Sequence, residues 1–347
     1  MARVLIIQTG GTIMMAPHEE AASSPPPVVT TLVPSALGRD LLAELPTLGR
    51  VADIETRVHS NLDSGDMQPS DWVMLARAVH SAIESQKYDG IVVLHGTDTM
   101  AYTASALALM LGPLPCPVVL TGAQRPLGEV RTDARENVID AALLATLAVP
   151  EVLIAFSARG LRGVRATKQD AWAFGAFDTP NCRPLVELGV GIELASHILP
   201  RRALLPFDGR IEPRVLVVRV FPGIDPALVG VAVRAGVRGL VLEAYGTGNM
   251  PHLAGSLIPA IEEASTLGVP VVVVSQCPRG FVQLSRYAGG AAAAKAGAIS
   301  GGDMTVEAAV AKLMIGLGRY GGGEALTSYL TRDAVGELTP PSPASIS

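Results

Sequence analysis

"GIVVLHGTDTMAYTASALALML", residues 90–111, holds a strand, a polar turn and a helix in direct succession. The run from Ile91 to Leu94 is continuously apolar rather than alternating. Strands buried on both faces of a parallel sheet read this way. Ala101–Leu111 then takes up a helical pattern. The same alternation recurs along the chain. Strand-like runs are "VLII" at 4–7, "PVVLTG" at 117–122, "VLIAFS" at 152–157, "VLVVRV" at 215–220, "GLVLEAYG" at 239–246 and "PVVVVSQ" at 270–276. Helical patterns cover 70–85, 133–147, 227–236, 256–267 and 306–317. The expected fold class is α/β: two α/β domains with mainly parallel sheets, the N-terminal one larger.

The pattern weakens between Gly191 and Arg214, where "RRALLPFDGRIEPR" reads as a domain link. The expected domains are 1–205 and 206–337, followed by a tail, 338–347. "GELTPPSPASIS", 336–347, is expected to fray. "APHEEAASSPPPVVTT", 16–31, is expected to be a mobile loop.

Composition narrows the function classes. The chain has 347 residues, is 49% hydrophobic and only 17% charged, a globular composition. A net charge of −5 without a basic block argues against nucleic acid as a partner. The longest apolar runs are far short of a membrane span, and Val4–Ile7 is too short for the core of a signal peptide. The expected location is the cytoplasm. Cys116, Cys182 and Cys277 form no Cys-x-x-Cys pair, and the six histidines show no paired spacing, so neither a disulfide framework nor a metal is expected. Of 27 basic residues only Lys87, Lys168, Lys295 and Lys312 are lysine. Such a chain keeps lysine where a compact amine that can lose its proton is needed.

Ligands of open parallel sheets bind beyond the carboxyl ends of strands. The residues just after the strands are therefore the candidates for chemistry. After the first come Thr9, Gly10, Gly11 and Thr12; after the 90–94 run come His95, Gly96, Thr97, Asp98 and Thr99; "RGVRATKQD" brings Lys168. A threonine hydroxyl attacks only when a base or a field activates it. Lys168 is suited to take a proton from Thr97, with Asp98 holding the lysine. Gly10 and Gly11 allow close backbone approach and offer N–H groups to an oxyanion. Each feature also has a plain structural reading. "TGGT" serves as a strand-to-helix turn, "GTDT" as a helix cap, and a single lysine as a solvated surface residue. These residues alone name no substrate.

Taken in order, the motifs resemble one family. "TGGTI" at 9–13 and "HGTDTMAYTASAL" at 95–107 are similar to the bacterial-type L-asparaginases, closest to their cytoplasmic (type I) branch. The resemblance continues through "LDSGDMQPSDW" (62–72), "VVLTGAQRPL" (118–127), "RATKQDAWAFGAFDTPN" (165–181), "YGTGNMP" (245–251) and "GGDMTVEA" (301–308). It implies hydrolysis of L-asparagine to L-aspartate and ammonia, without metal or organic cofactor, by a homodimer or homotetramer. Thr12 would be the nucleophile, and Thr97, Asp98 and Lys168 the relay that activates the attacking group or water. Ser64 would hold the substrate carboxylate, with Gly65, Asp66 and Gly11 lining the same site. Asn249 would reach the site of a neighbouring subunit. The alternatives are a glutaminase or another amidohydrolase of the family, or a catalytically weak amino-acid-binding relative.

Two departures stand out. Gly65 replaces a side-chain-bearing residue in "DSGD". The family's tyrosine after the first motif is missing, since no tyrosine lies between Thr12 and Tyr88. Tyr287, in "QLSRYAGG", is the candidate to supply a phenol near Thr12.

Overall fold

The computed structural model describes residues 1–11, 13, 15–19, 30–34 and 41–339. Two compact units divide it: residues 1–179 with 183–207, and residues 180–182 with 208 onward.

An eight-stranded sheet forms the N-terminal unit, in the order Ile192–Leu194, Val186–Leu188, Arg159–Arg162, Val152–Phe156, Val118–Thr121, Gly90–Leu94, Arg3–Gly10, Asp53–Leu62. The last five in that order are mutually parallel, from Val152–Phe156 through Asp53–Leu62. The three at the other edge join antiparallel. Gly90–Leu94, Val118–Thr121 and Val152–Phe156 are buried along their whole length. Helices Pro69–Glu84, Met100–Leu111 and Ala134–Leu144 follow the strands at 53–62, 90–94 and 118–121. Mixed α/β architecture with mainly parallel sheets is thus what the apolar runs specify. In the C-terminal unit four parallel strands, Val215–Arg219, Gly239–Ala244, Val271–Ser275 and Ala298–Ser300, lie side by side in chain order.

Topology singles out one place on the larger sheet. The chain leaves Arg3–Gly10 for its neighbour on one side, Asp53–Leu62. It leaves Gly90–Leu94 for its neighbour on the other, Val118–Thr121. Adjacent strands whose connections diverge open a crevice at their carboxyl ends, and ligands of doubly wound sheets bind there. "TGG" and "HGTDT" follow those two strands.

Three expectations change. The first strand does not stop at Ile7 but runs to Gly10, because Gln8 and Thr9 are themselves buried within the sheet. Thr9 Oγ1 donates to Leu94 O at 2.8 Å, and Ser60 Oγ donates to Thr9 O at 3.1 Å. The stretch 16–31 is not wholly a loop: Met15–Glu19 pairs antiparallel with Thr30–Pro34, and residues 20–29 lie outside the described residues. The tail expectation fails for residues 336–339, because Glu337 is fully buried against Lys312. Residues 340–347 lie outside the described residues.

Candidate active site

Glycines bring three strand ends together. Gly10 and Gly11 have φ of +113° and +84°, a region that L side chains rarely adopt. A Cβ on Gly10 would meet the Leu62 backbone, with Leu62 N at 2.6 Å. One on Gly11 would meet the Gly96 backbone, with the Gly96 Cα at 2.5 Å. One on Gly96 would run into the Ser64 side chain, with Cβ at 2.7 Å. The ends of Arg3–Gly10, Asp53–Leu62 and Gly90–Leu94 therefore touch backbone to backbone. Gly11 N also donates to Leu62 O at 3.2 Å. A larger residue at Gly11 or Gly96 would wedge the crevice open.

Lys168 comes to this crevice from a short hairpin, Thr167–Lys168 paired antiparallel with Phe177–Asp178. Its Nζ donates to Thr97 Oγ1 at 2.8 Å and to Asp98 Oδ1 at 2.7 Å. Thr97 is buried, the Lys168 side chain is 19% exposed and that of Asp98 70%. The amine is thus largely sheltered, with its carboxylate partner on the solvent side. Neither plain reading of these residues holds. Lys168 is not a free surface lysine, and "GTDT" does not spend Thr97 or Asp98 on capping: the N-cap of helix Met100–Leu111 is Thr99, which makes no side-chain cap bond. Thr99 Oγ1 instead donates to Ser64 O at 2.8 Å, tying the two loops together.

The Thr97 hydroxyl, receiving from Lys168, donates in turn to Gln124 Oε1 at 3.3 Å. Sequence reasoning missed Gln124, although it lies in the quoted "GAQRP" directly after the Val118–Thr121 strand. Position after a strand was the signal that could have found it.

Ser64 begins a single 3-10 turn, Ser64–Asp66, and is buried. Asp63 Oδ1 accepts from Gly65 N at 2.9 Å. Gly65 and Asp66 are exposed on the same turn. His95, fully buried, places Nδ1 2.7 Å from Gly96 O and Nε2 3.1 Å from Met67 Sδ. Burial lowers its pKa to about 4, against the upward pull of the Gly96 carbonyl. The ring is neutral at pH 7 and braces the loop beneath Thr97.

Thr12, the predicted nucleophile, lies outside the described residues. Its neighbours are described: Gly11 packs on Gly96, and Ile13 is fully buried with its carbonyl accepting from Leu127 N at 3.5 Å. Asn249 and Tyr287 belong to the C-terminal unit. Asn249 forms an isolated bridge with Tyr245, and its Oδ1 is buried without a hydrogen-bond partner. Tyr287, 54% exposed, is the N-cap of helix Ala288–Lys295. Among the described residues no three His, Cys, Asp or Glu side chains assemble as a metal-ligand set, and no helix is long and apolar enough to cross a membrane.

Comparison with known proteins matches this arrangement to one family along the chain. Residues 3–199 match the model of the asparaginase N-terminal domain, and residues 214–330 that of the glutaminase/asparaginase C-terminal domain. The L-asparaginase of Thermococcus kodakarensis is 37% identical over 341 residues, covering 97% of this chain and 99% of that one. L-asparaginase 1 of Escherichia coli K12 is 39% identical over 305 residues, covering 86% and 89%. The solved structure of the Thermococcus kodakarensis enzyme superposes with a TM-score of 0.86 at 36% identity, over 98% of this chain and 100% of that one. Both halves of the sequence, and the strand ends that build the crevice, thus place this chain in the asparaginase family.

Proposed function

We propose that this protein hydrolyses the side-chain amide of L-asparagine to L-aspartate and ammonia. The observation that carries the reading is the Lys168 amine, bonded at once to the Thr97 hydroxyl and the Asp98 carboxylate in a crevice at the carboxyl ends of parallel strands.

The chemistry follows from those groups. Thr12, next in the chain to Gly11, attacks the amide carbon. Its proton passes through the threonine–lysine relay toward the leaving nitrogen. Lysine suits this task because, unlike arginine, it can give up a proton and take one back. The Gly11 N–H is spent on Leu62 O and is not free for the oxyanion, but Gly10 and Gly11, without side chains, let the amide approach the strand ends closely. The C–N bond breaks, ammonia leaves, and an aspartyl ester remains on Thr12. Water, losing its proton to the same relay, attacks the ester carbon and releases aspartate. Ser64 receives the substrate carboxylate, and Gly65 and Asp66 line the site from the same turn. Asp98, mostly exposed on the solvent side of Lys168, receives the α-ammonium group. Asn249 and the Tyr287 hydroxyl reach the site of a neighbouring subunit. No cofactor enters. The same reading has the protein in the cytoplasm as a homodimer or homotetramer, with neither nucleic acid nor membrane as a partner.

Ammonia release from purified protein tests the reading, with asparagine and glutamine compared at equal concentration. Asparagine should be turned over faster, as judged by kcat/KM. Tyr287→Phe should lower kcat with little change in Tm. A faster rate on glutamine would move the substrate within the same chemistry. Ammonia from neither would overturn the proposal.

A further inference from the structure

Two side-chain hydrogen bonds hold the tip of the hairpin that carries Lys168, beside Arg131 over the Phe174 ring at 5.4 Å and Arg159, which donates to Phe177 O at 2.9 Å. Gln124 Nε2 donates to Ala173 O at 3.2 Å, and Ser157 Oγ donates to Phe174 O at 2.9 Å. Both carbonyls lie in the loop, residues 169–176, that joins the two hairpin strands. Lys168 leads straight into this loop, so a displaced tip displaces the amine from Thr97 and Asp98.

Both anchors trace back to one buried pair. Asp133 and Asn137, 6% and 3% exposed, stand four residues apart at the start of helix Ala134–Leu144. Asp133 accepts from Gln124 N at 3.0 Å and from Arg125 N at 3.1 Å. Asn137 Oδ1 accepts from Ser157 N at 3.2 Å. Asn137 Nδ2 donates to Gly122 O at 3.0 Å and to Asp133 Oδ2 at 3.1 Å. Two acceptors face the amide nitrogen and a donor faces its oxygen, so only one orientation of the side chain satisfies all three.

Two features set this pair apart from ordinary helix packing. Asp133 is the N-cap residue, yet its carboxylate caps no helical amide and reaches out to the Gln124 loop instead. Ser157 and Ala158 hold φ of +49° and +58°, although neither is glycine. A two-residue hairpin turn of this hand favours Asn-Gly. Left-handed backbone at side-chain-bearing residues persists only where the surroundings impose it, and it gathers at functional sites. The Asn137 bond to Ser157 N is one such constraint.

We propose that Asp133 and Asn137 are positioning residues for Lys168: together they set both anchors of its hairpin and thereby the approach of the amine to Thr97. This rests on the reading of Lys168 as the proton carrier.

The test uses full-length protein with 13C-labelled lysine. Only four lysines are present, so Lys168 Cε is assigned by its loss in Lys168→Arg. The variants are Asn137→Leu, which removes the amide, and Ser157→Ala, which releases the Phe174 anchor and leaves the buried pair and the Gln124 contact to Thr97 intact. Each should displace the Lys168 resonance, alter the pH–kcat profile and lower kcat on the order of 10–10²-fold, the scale of a small misplacement of a reacting group, with KM little changed. Asp133→Asn keeps an oxygen for the Gln124 and Arg125 amides but turns a donor onto Asn137 Nδ2, so it should recover only part of the rate that Asp133→Leu loses. If Asn137→Leu does not fold, Ser157→Ala decides alone. Wild-type resonance position, kcat and pH profile in the folded variants would make the pair merely structural and end the proposal. If the wild type released no ammonia from asparagine, the functional reading would fail, but the Lys168 resonance would still decide on the positioning pair.

Discussion

Lys168→Arg and Lys168→Ala should each lose at least ~10²-fold in kcat, the scale of a positioned general acid–base group. The arginine variant is the sharper of the two. It keeps the positive charge opposite Asp98, and its guanidinium can still donate to Thr97. What it loses is the ability to shuttle a proton, since arginine stays protonated at any working pH. The pocket also fits a compact amine, with donors aimed 2.8 Å to Thr97 and 2.7 Å to Asp98 from a single nitrogen. Steady-state kinetics on asparagine read the loss. Near-normal turnover in Lys168→Arg would reduce the lysine to a structural ion pair.

Lys312→Met should cost about 3–5 kcal/mol of stability, because it strands a buried carboxylate. Lys312 and Glu337 have 0% exposed side chains, and Nζ lies 2.6 Å from Glu337 Oε1. The amine also donates to Arg332 O at 2.6 Å, and Glu337 accepts from Ala334 N and Val335 N. The pair pins residues 332–337 to helix Val306–Tyr320. Burial pushes the Glu337 carboxyl up, but the Lys312 charge and hydrogen bond outweigh it and leave the pKa below the usual range. A lowered folded pKa means that this stabilisation is present above the unfolded carboxylate value and is lost as pH falls through the folded one. Urea midpoints in Lys312→Met should therefore drop strongly at pH 7. The pairing of Lys312→Met with Glu337→Gln should recover part of the loss, since no charge is then buried alone and the amide still accepts from Ala334 and Val335. Equal midpoints for wild type and Lys312→Met would show that the ion pair carries no stability.

Which parts of this were legible in the sequence follows from burial. Strands covered on both faces, such as Gly90–Leu94 and Val118–Thr121, announce themselves as apolar runs. Asp53–Leu62 does not: it forms the edge of the sheet and carries Glu55, Arg57 and His59, so its ten residues read as polar. The antiparallel extension at 159–194 escaped for a related reason, being made of strands of three to four residues within loops. At the site, Thr97, Asp98 and Lys168 were marked by position after strands and by the scarcity of lysine, and the structure brings them into one hydrogen-bonded group. Gln124 stood after a strand and was passed over, and Asp133 and Asn137 were not marked because polar residues at the start of a helix look like caps until the direction of the carboxylate is seen. The tail misled because its proline-rich end hides Glu337, whose partner is 25 positions away in sequence.

The central claim is covalent catalysis by Thr12, and one measurement addresses it most directly. Protein is mixed with a slowly turned-over asparagine analogue, quenched in acid within the first turnover, and digested for mass spectrometry. An aspartyl ester should appear on the peptide containing Thr12, decay as product forms, and be absent from a folded Thr12→Val variant. An ester on the Thr97 peptide instead, or turnover that survives in Thr12→Val, would contradict the account.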